Sequence, residues 1–511
     1  MSTDNPREKI MALKNNPNAE IWFLTGSQSL YGEETLRRVA MQSQEVVKLL
    51  QASKNIPIKI VWKPVVITPD GIRKICLEAS SDDNCYGVIT WMHTFSPAKM
   101  WIGGLSVLQK PILHFHTQAN ESLPWFSLDM DFMNLNQSAH GDREYGHIAA
   151  RLSKPRKVVA GHASDLKTSS RIGDWVYACV GWNTANHLKM ARFGDNMRFV
   201  AVTDGDKTSA QMQFGMSIEP YGINALVDAV RDVSKEEIDS LIAEYMNDFE
   251  VAKELTPNGK RHESLRYAAS IEAALTNFLE AGGFSAFTTN FEDLGELRQL
   301  PGIAVQRLMA KGYGFGGEGD WKTSALTRIV KSMTEGKSGG TSFMEDYTYH
   351  FGPGESKVLG AHMLEVCPSI TSTKPRCEIH PLGIGGKEDP VRLVFQAQPA
   401  NGQVISLMDM GNRFRIVSNE VEIVNPDEPL PNLPVACAVW KPKPSFATAS
   451  EAWIYAGGSH HTVLSTSLGV DTLVDFSKIA NVELLRINNE TEINRFQKEI
   501  QWNDLYFSSQ R

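Results

Sequence analysis

Residues 20–32 read EIWFLTGSQSLYG, and the change of period on either side of this stretch decides the fold class. Glu20 to Thr25 is a short apolar run closed by Gly26, the pattern of a buried strand entering a loop. From Glu33 the spacing changes. Leu36, Val39, Ala40, Val46, Val47 and Leu50 fall on one face of a helix. The same alternation continues outward: apolar runs at Ile58–Trp62 and Val88–Trp91, a helical segment from Ser96 to Leu108, and a strand from Pro111 to Phe115. Strands alternating with helices predict a parallel sheet with helices on its faces. Ligands of such sheets bind beyond the carboxyl ends of the strands. Three polar, aromatic loops lie there: GSQSLYG (26–32), HTFSPAKMW (93–101) and the segment 116–141, with His93, His116 and His140 among their residues. None has the GxxxxGK[ST] or GxGxxG spacing, so no nucleotide cofactor is expected.

A second α/β stretch is expected from about Met190, with a strand at Met197–Val202, helices near 235–253 and 261–281, a strand at Phe284–Thr288 and a helix at Ile303–Lys311. After residue 340 the rhythm changes. Val391–Gln396, Val404–Met408, Arg413–Val417 and Val421–Val424 are short runs separated by turn residues, as in an antiparallel β-rich domain. A helical turn near Ser450–Ala456, a strand at 482–487 and a helix near 492–502 close the chain. The expected architecture is α/β: two Rossmann-like domains with parallel sheets, 1–188 and 189–340, followed by a β-rich domain, 341–511.

Composition agrees with a chain of several cores, since 511 residues exceed what one core holds. The net charge of −8 and the scattered Lys and Arg argue against nucleic acid or an anionic membrane as partner. No apolar run is long enough to span a bilayer, and the N-terminal residues lack the apolar centre of a signal peptide. Six cysteines, none in a CxxC pair, read as reduced core residues of a cytoplasmic protein.

The chemistry concentrates in Gly312–Pro368, which carries Glu318, Asp320, Glu345, Asp346, His350, His362 and Glu365 among glycines and large apolar residues. Single charges in loops are usually solvated. Carboxylates interleaved with Trp321, Phe343, Met344, Tyr347 and Met363 are expected to be partly buried and to need partners. Glycines let such side chains be aimed inward from loops. Residue types alone suggest Glu318, Glu345, His362 and one of His460 or His461 around a divalent cation, with His350 in reserve. Two carboxylates and two imidazoles suit Mn2+, Co2+ or Fe2+ better than a cysteine-rich structural zinc site. A metal that polarises a carbonyl beside a carboxylate base supports sugar isomerisation, aldol cleavage or hydrolysis.

The chain resembles the bacterial L-arabinose isomerases over nearly its whole length. The resemblance rests on GSQSLYG, WMHTFSPAKMWI (91–102), DMDFMNLNQSAHG (129–141), RFGDNMR (192–198), AVTDGDK (201–207), FTTNFEDL (287–294) and LPGIAVQRLMAKGYGFGGEGDWKT (300–323). It continues through GGTSFMEDYTYHF (339–351), GAHMLEVCPSI (360–370), LGIGGKEDP (382–390) and TASEAWIYAGGSHHT (448–462). It implies an aldose–ketose isomerase acting on L-arabinose, with one Mn2+ per subunit held by Glu318, Glu345, His362 and His461; Co2+ or Fe2+ are the alternatives. The two glutamates would be the acid–base pair, working through an enediol, with a hydride shift as the competing route. Substrate positions would be Gln28, Leu30, Phe95, His140, Met197, Phe291 and Ile384. The resemblance further implies a small-molecule sugar substrate, a three-domain fold like that of fucose isomerase and a homo-oligomer, often a hexamer. Alternatives are D-galactose/D-tagatose isomerisation and, from another class, a sugar-binding protein without catalysis. Ser29 stands where many members have histidine, which alters the polarity of the pocket rim. The N-terminal extension is unmatched and is expected to be a surface arm.

Overall fold

The computed structural model describes residues 16–383 and 385–509. The expected N-terminal arm and Ile384 lie outside the described residues. The described chain divides into two compact units, one holding residues 16–183 and 469–481, the other 184–468 and 482–509.

The first unit is built on five parallel strands: β1 (Glu20–Gly26), β2 (Lys59–Trp62), β3 (Cys85–Met92), β4 (Ile112–His116) and β5 (Lys157–Ala160), in the order β2-β1-β3-β4-β5. Every residue of β3 is buried, as expected of a strand with helices on both faces. One apolar cluster groups Phe23, Trp91, Phe115 and Trp175, and a second groups Trp22, Trp101 and Tyr145. Helix Gly32–Gln51 buries Val39, Val46, Val47 and Leu50 of its expected apolar face.

The second unit begins with a parallel sheet of β6 (Lys189–Phe193), β7 (Ser217–Tyr221), β9 (Ala286–Thr288) and β10 (Gly314–Gly316), ordered β10-β9-β6-β7. A short strand, β8 (Glu250–Val251), lies between β7 and β9 in sequence. The strand expected at Met197–Val202 is not formed. The strand is Lys189–Phe193, and 197–203 is a loop with a single 3-10 turn at Ala201–Thr203. The apolar content of MRFVAV misleads because this segment crosses the carboxyl edge of the sheet, where Phe199 is fully exposed at φ 65°.

The C-terminal part is β-rich. Strands β11 (Thr341–His350), β12 (Lys357–Ala361), β15 (Ala400–Asp409), β16 (Phe414–Val424), β17 (Cys437–Pro442), β18 (His461–Ser465) and β19 (Glu483–Ile487) form one sheet ordered β15-β18-β11-β12-β17-β16-β19. An added β15–β16 ladder closes six of them into a ring, which removes their free edges. The two runs expected at 413–417 and 421–424 are one continuous strand, β16. Strand β13 (Arg376–Ile379) pairs with β14 (Val391–Val394) on one side and with β8 on the other in a separate small sheet. Helix Trp321–Met333 follows β10 and packs against β11 and β18, joining the parallel sheet to the ring. All six cysteines are free and buried. No described helix is long and apolar enough to cross a membrane.

Candidate active site

Three of the candidate side chains come together through strand register. On β11, Glu345 stands opposite His461 of β18 on one side and Ala361 of β12 on the other, and His362 follows Ala361 directly. Glu345 and His362 are therefore not aimed from glycine loops, as the composition of 312–368 suggests; a central strand and a strand end carry them. Phe343, two residues before Glu345 on the same face of β11, is fully buried between the two imidazoles. Its ring centroid lies 4.7 Å from that of His362 and 5.1 Å from that of His461. The two imidazoles are 5.6 Å apart.

Glu318 arrives from the other direction, on the turn between β10 and helix Trp321–Met333. The Asp320 N–H donates to the Gly317 carbonyl at 2.9 Å, and both central residues have positive φ, 63° for Glu318 and 77° for Gly319. A left-handed non-glycine residue costs about 1–3 kcal/mol, and such strain clusters at functional sites. Gly319 is obligatory in a second sense: a Cβ there would lie 2.5 Å from Asn196 Cα. The Glu318 carbonyl accepts the Met197 N–H at 2.9 Å, so the loop after β6 is tied to the same turn.

Each histidine is oriented by a carboxylate. His461 Nδ1 is 3.1 Å from Asp320 Oδ2, and His362 Nδ1 is 2.6 Å from Glu365 Oε2. Asp320 also caps helix Trp321–Met333, accepting the Lys322 and Thr323 N–H groups. These bonds place the proton of each ring on Nδ1 and leave Nε2 as a lone-pair donor. His461 Nε2 is buried without a hydrogen-bond partner and lies 3.7 Å from Glu318 Oε2. At Gly317 a Cβ would approach His362 Nε2 to 3.2 Å, so the missing side chain leaves room in front of that nitrogen.

The electrostatics follow from burial and neighbours. Burial raises the Glu345 pKa, against the lowering pull of His362 and His461. Burial also pushes Asp346 up, to about 7, with the Glu345 charge adding to it. Burial opposes ionisation of Asp320 too, but Lys322 and His461 hold it well below the usual carboxylate range. For His362, burial works against the proton and Glu365 works for it; the net shift is upward.

Among the described residues, Glu318, His460 and His461 form a group whose ligand atoms all lie within 4.8 Å of one another. His460 is exposed, and its ring lies 4.5 Å from that of His461. His350 is not part of the site; its ring nitrogen is 3.3 Å from the Pro353 carbonyl. Of the expected substrate positions, Gln28 and Leu30 follow β1, Phe95 follows β3, and His140 lies on helix Ser138–Arg151 after β4; all belong to the first unit. Leu30 and His140 are exposed, and Gln28 and Phe95 are half-buried. Met197 follows β6 and Phe291 follows β9, at the same edge of the second unit's parallel sheet as Glu318.

Comparison with known proteins covers nearly the whole chain. Residues 15–187, 189–336 and 340–483 match the family models of the L-arabinose isomerase N-terminal, central and C-terminal domains. An L-arabinose isomerase of Arthrobacter sp. strain FB24 is 60% identical over 488 residues, covering 96% of each chain. That of Mycolicibacterium smegmatis is 59% identical, covering 95% of this chain and 97% of its own. That of Geobacillus stearothermophilus is 54% identical, covering 96% and 98%.

Proposed function

Because the chain belongs to the L-arabinose isomerase family and is thus an aldose–ketose isomerase, we propose that it converts L-arabinose to L-ribulose at the cluster of Glu318, Glu345, His362 and His461. The observation that carries this reading is the buried, unpartnered Nε2 of His461, facing Glu318 while Asp320 occupies Nδ1. A buried imidazole nitrogen without a partner costs about 1–3 kcal/mol, which a ligand in front of it would recover.

The donor set fits a divalent cation. Glu318, Glu345, His362 and His461 would hold it; their oxygen and nitrogen donors suit Mn2+, Co2+ or Fe2+, and the family resemblance favours Mn2+ among these. Asp320 orients His461, whereas among the described residues no carboxylate hydrogen-bonds His460, so we take His461 as the ligand. When bound, the ion supplies Lewis-acid polarisation of the sugar's carbonyl and hydroxyl oxygens.

The protein's own groups move the protons. One of Glu318 and Glu345 takes the proton from C2 of the open-chain aldose, an enediol forms, and the proton returns at C1. Phe343 seals the apolar wall behind the two imidazoles and keeps water from that side. Met197 and Phe291, at the carboxyl edge beside Glu318, are the substrate contacts we assign in the second unit; Gln28, Leu30, Phe95 and His140 stand as substrate positions on the family resemblance alone.

The protein is read as a homo-oligomer, with a hexamer favoured by family resemblance. An exposed apolar run in the first unit, Leu123, Trp125, Phe126, Leu128, Met130 and Met133, supports burial against another copy. Six free cysteines support a cytoplasmic setting. Ketose formation from L-arabinose and from D-galactose tests the substrate. A higher kcat/KM on L-arabinose is expected. A higher value on D-galactose would reassign the substrate, and no ketose from either would defeat the reading.

A further inference from the structure

A second group suited to acid–base work lies in the first unit, apart from the residues discussed above. Asp142, on helix Ser138–Arg151, is 2% exposed and accepts three donors. The Met92 N–H and His114 Nε2 bond Oδ1 at 3.0 and 2.9 Å, and His116 Nδ1 bonds Oδ2 at 2.8 Å. His114 is buried, with Tyr145 packed edge-on at 4.8 Å. His116 differs. It is the last residue of β4, at the carboxyl edge of the sheet, and its side chain is 38% exposed. Its Nε2 bonds no described residue. The surroundings are rigid: Trp91 Nε1 donates to the Thr117 carbonyl and to Ser138 Oγ, pinning the residue after His116 and the start of the helix that carries Asp142.

A buried carboxylate already satisfied by a backbone N–H and an imidazole has no structural need of a second imidazole. A rim histidine whose Nδ1–H is held by a buried aspartate, with Nε2 free toward solvent, has the geometry of a general acid–base. Its affinity for a proton is raised by the hydrogen bond it donates to Asp142, against burial and the nearby charge of Arg143. The sugar reaction leaves such a group a task. Pentoses are supplied as cyclic hemiacetals, and C2 cannot lose its proton toward C1 until the ring opens.

We propose that His116, oriented by Asp142, is a further catalytic residue that opens the sugar ring before isomerisation. Nε2 takes the proton of the anomeric hydroxyl as C1=O1 forms. The C1–O5 bond breaks with its electron pair going to O5, and the protonated imidazole returns that proton to O5. No other reactant is consumed. The proposal rests on the reading of the chain as a sugar isomerase.

The test separates ring opening from isomerisation. In a Glu345→Gln protein, with C2 chemistry blocked, the interconversion of α- and β-L-arabinose followed by NMR is expected to run faster than in buffer. Adding His116→Gln should reduce that acceleration about 10²-fold, and Asp142→Asn should weaken it less. His116→Gln in the otherwise native protein should lower kcat by about the same factor. Anomer exchange that survives His116→Gln, no acceleration by the Glu345→Gln protein, or native turnover in His116→Gln would each overturn the proposal. No ketose from the unsubstituted protein would instead overturn the functional reading, and the proposal with it.

Discussion

Glu345 and His461 stand directly opposite one another on neighbouring antiparallel strands, although they lie 116 positions apart in the sequence. Directly opposed residues of an antiparallel pair hold their Cβ atoms about 4.5–5.5 Å apart on one face of the sheet. The spacing of the two groups is thus set by backbone hydrogen bonds. A one-residue slip of β18 would turn His461 to the other face and dismantle the site.

The two carboxylates are predicted to be indispensable to turnover and dispensable to folding. Glu318→Gln and Glu345→Gln should each lower kcat by about 10²-fold or more, with an unchanged near-ultraviolet circular dichroism spectrum. In heavy water the native protein should place solvent deuterium at C1 of the ketose. Product free of deuterium would favour the hydride shift.

Complete chelation should abolish ketose formation from L-arabinose, and Mn2+ should restore it better than Mg2+, because imidazole donors suit the softer ion. Activity that survives verified metal removal would exclude a role for the cation.

The carboxylates behind the histidines act through orientation. Glu365→Gln or Asp320→Asn should weaken Mn2+ binding about 10–100-fold by titration calorimetry. Gly317→Ala should weaken it as well, since the added methyl lies 3.0 Å from His362 Cε1. Unaltered affinity in all three would show that the imidazoles need no support.

The hydrogen bond to Asp142 raises the His116 pKa above its ordinary value, despite burial and Arg143. A group whose folded pKa is raised contributes stability that is full below its unfolded value, about 6.5, and is lost as pH rises through the folded value. His116→Gln should therefore lower the melting temperature more at about pH 5.5 than at about pH 9. Asp142 and Arg143, the charged groups facing it, are common to both proteins. An equal shift at the two pH values would show that His116 has no proton-linked role in stability.

Much of the fold was legible because its strands are short apolar runs between turn residues, and β1, β4, β9 and β19 lie close to where periodicity puts them. The failures share a cause. MRFVAV reads as a strand, yet the preceding KMARF forms it, because Gly194 with φ 79° ends pairing there and the next residues cross the sheet edge. His362 and Glu365 are three residues apart, so their pairing could be suspected from spacing. Asp320 and His461 are 141 residues apart, and no local signal links them.

The sequence by itself determined the α/β class, the β-rich C-terminal part, the inventory of carboxylates and imidazoles, and the family to which the chain is similar. These depend on local period and residue chemistry, which neighbouring residues encode. Tertiary structure alone decided that Glu345 sits on a central strand opposite His461, that Glu318 occupies a left-handed turn, and that His461 Nε2 is buried without a partner. It alone decided, too, that His116 shares a buried aspartate with His114. Those relations arise from strand register and from packing between distant segments, where the free energy of a contact depends on what the fold brings against it.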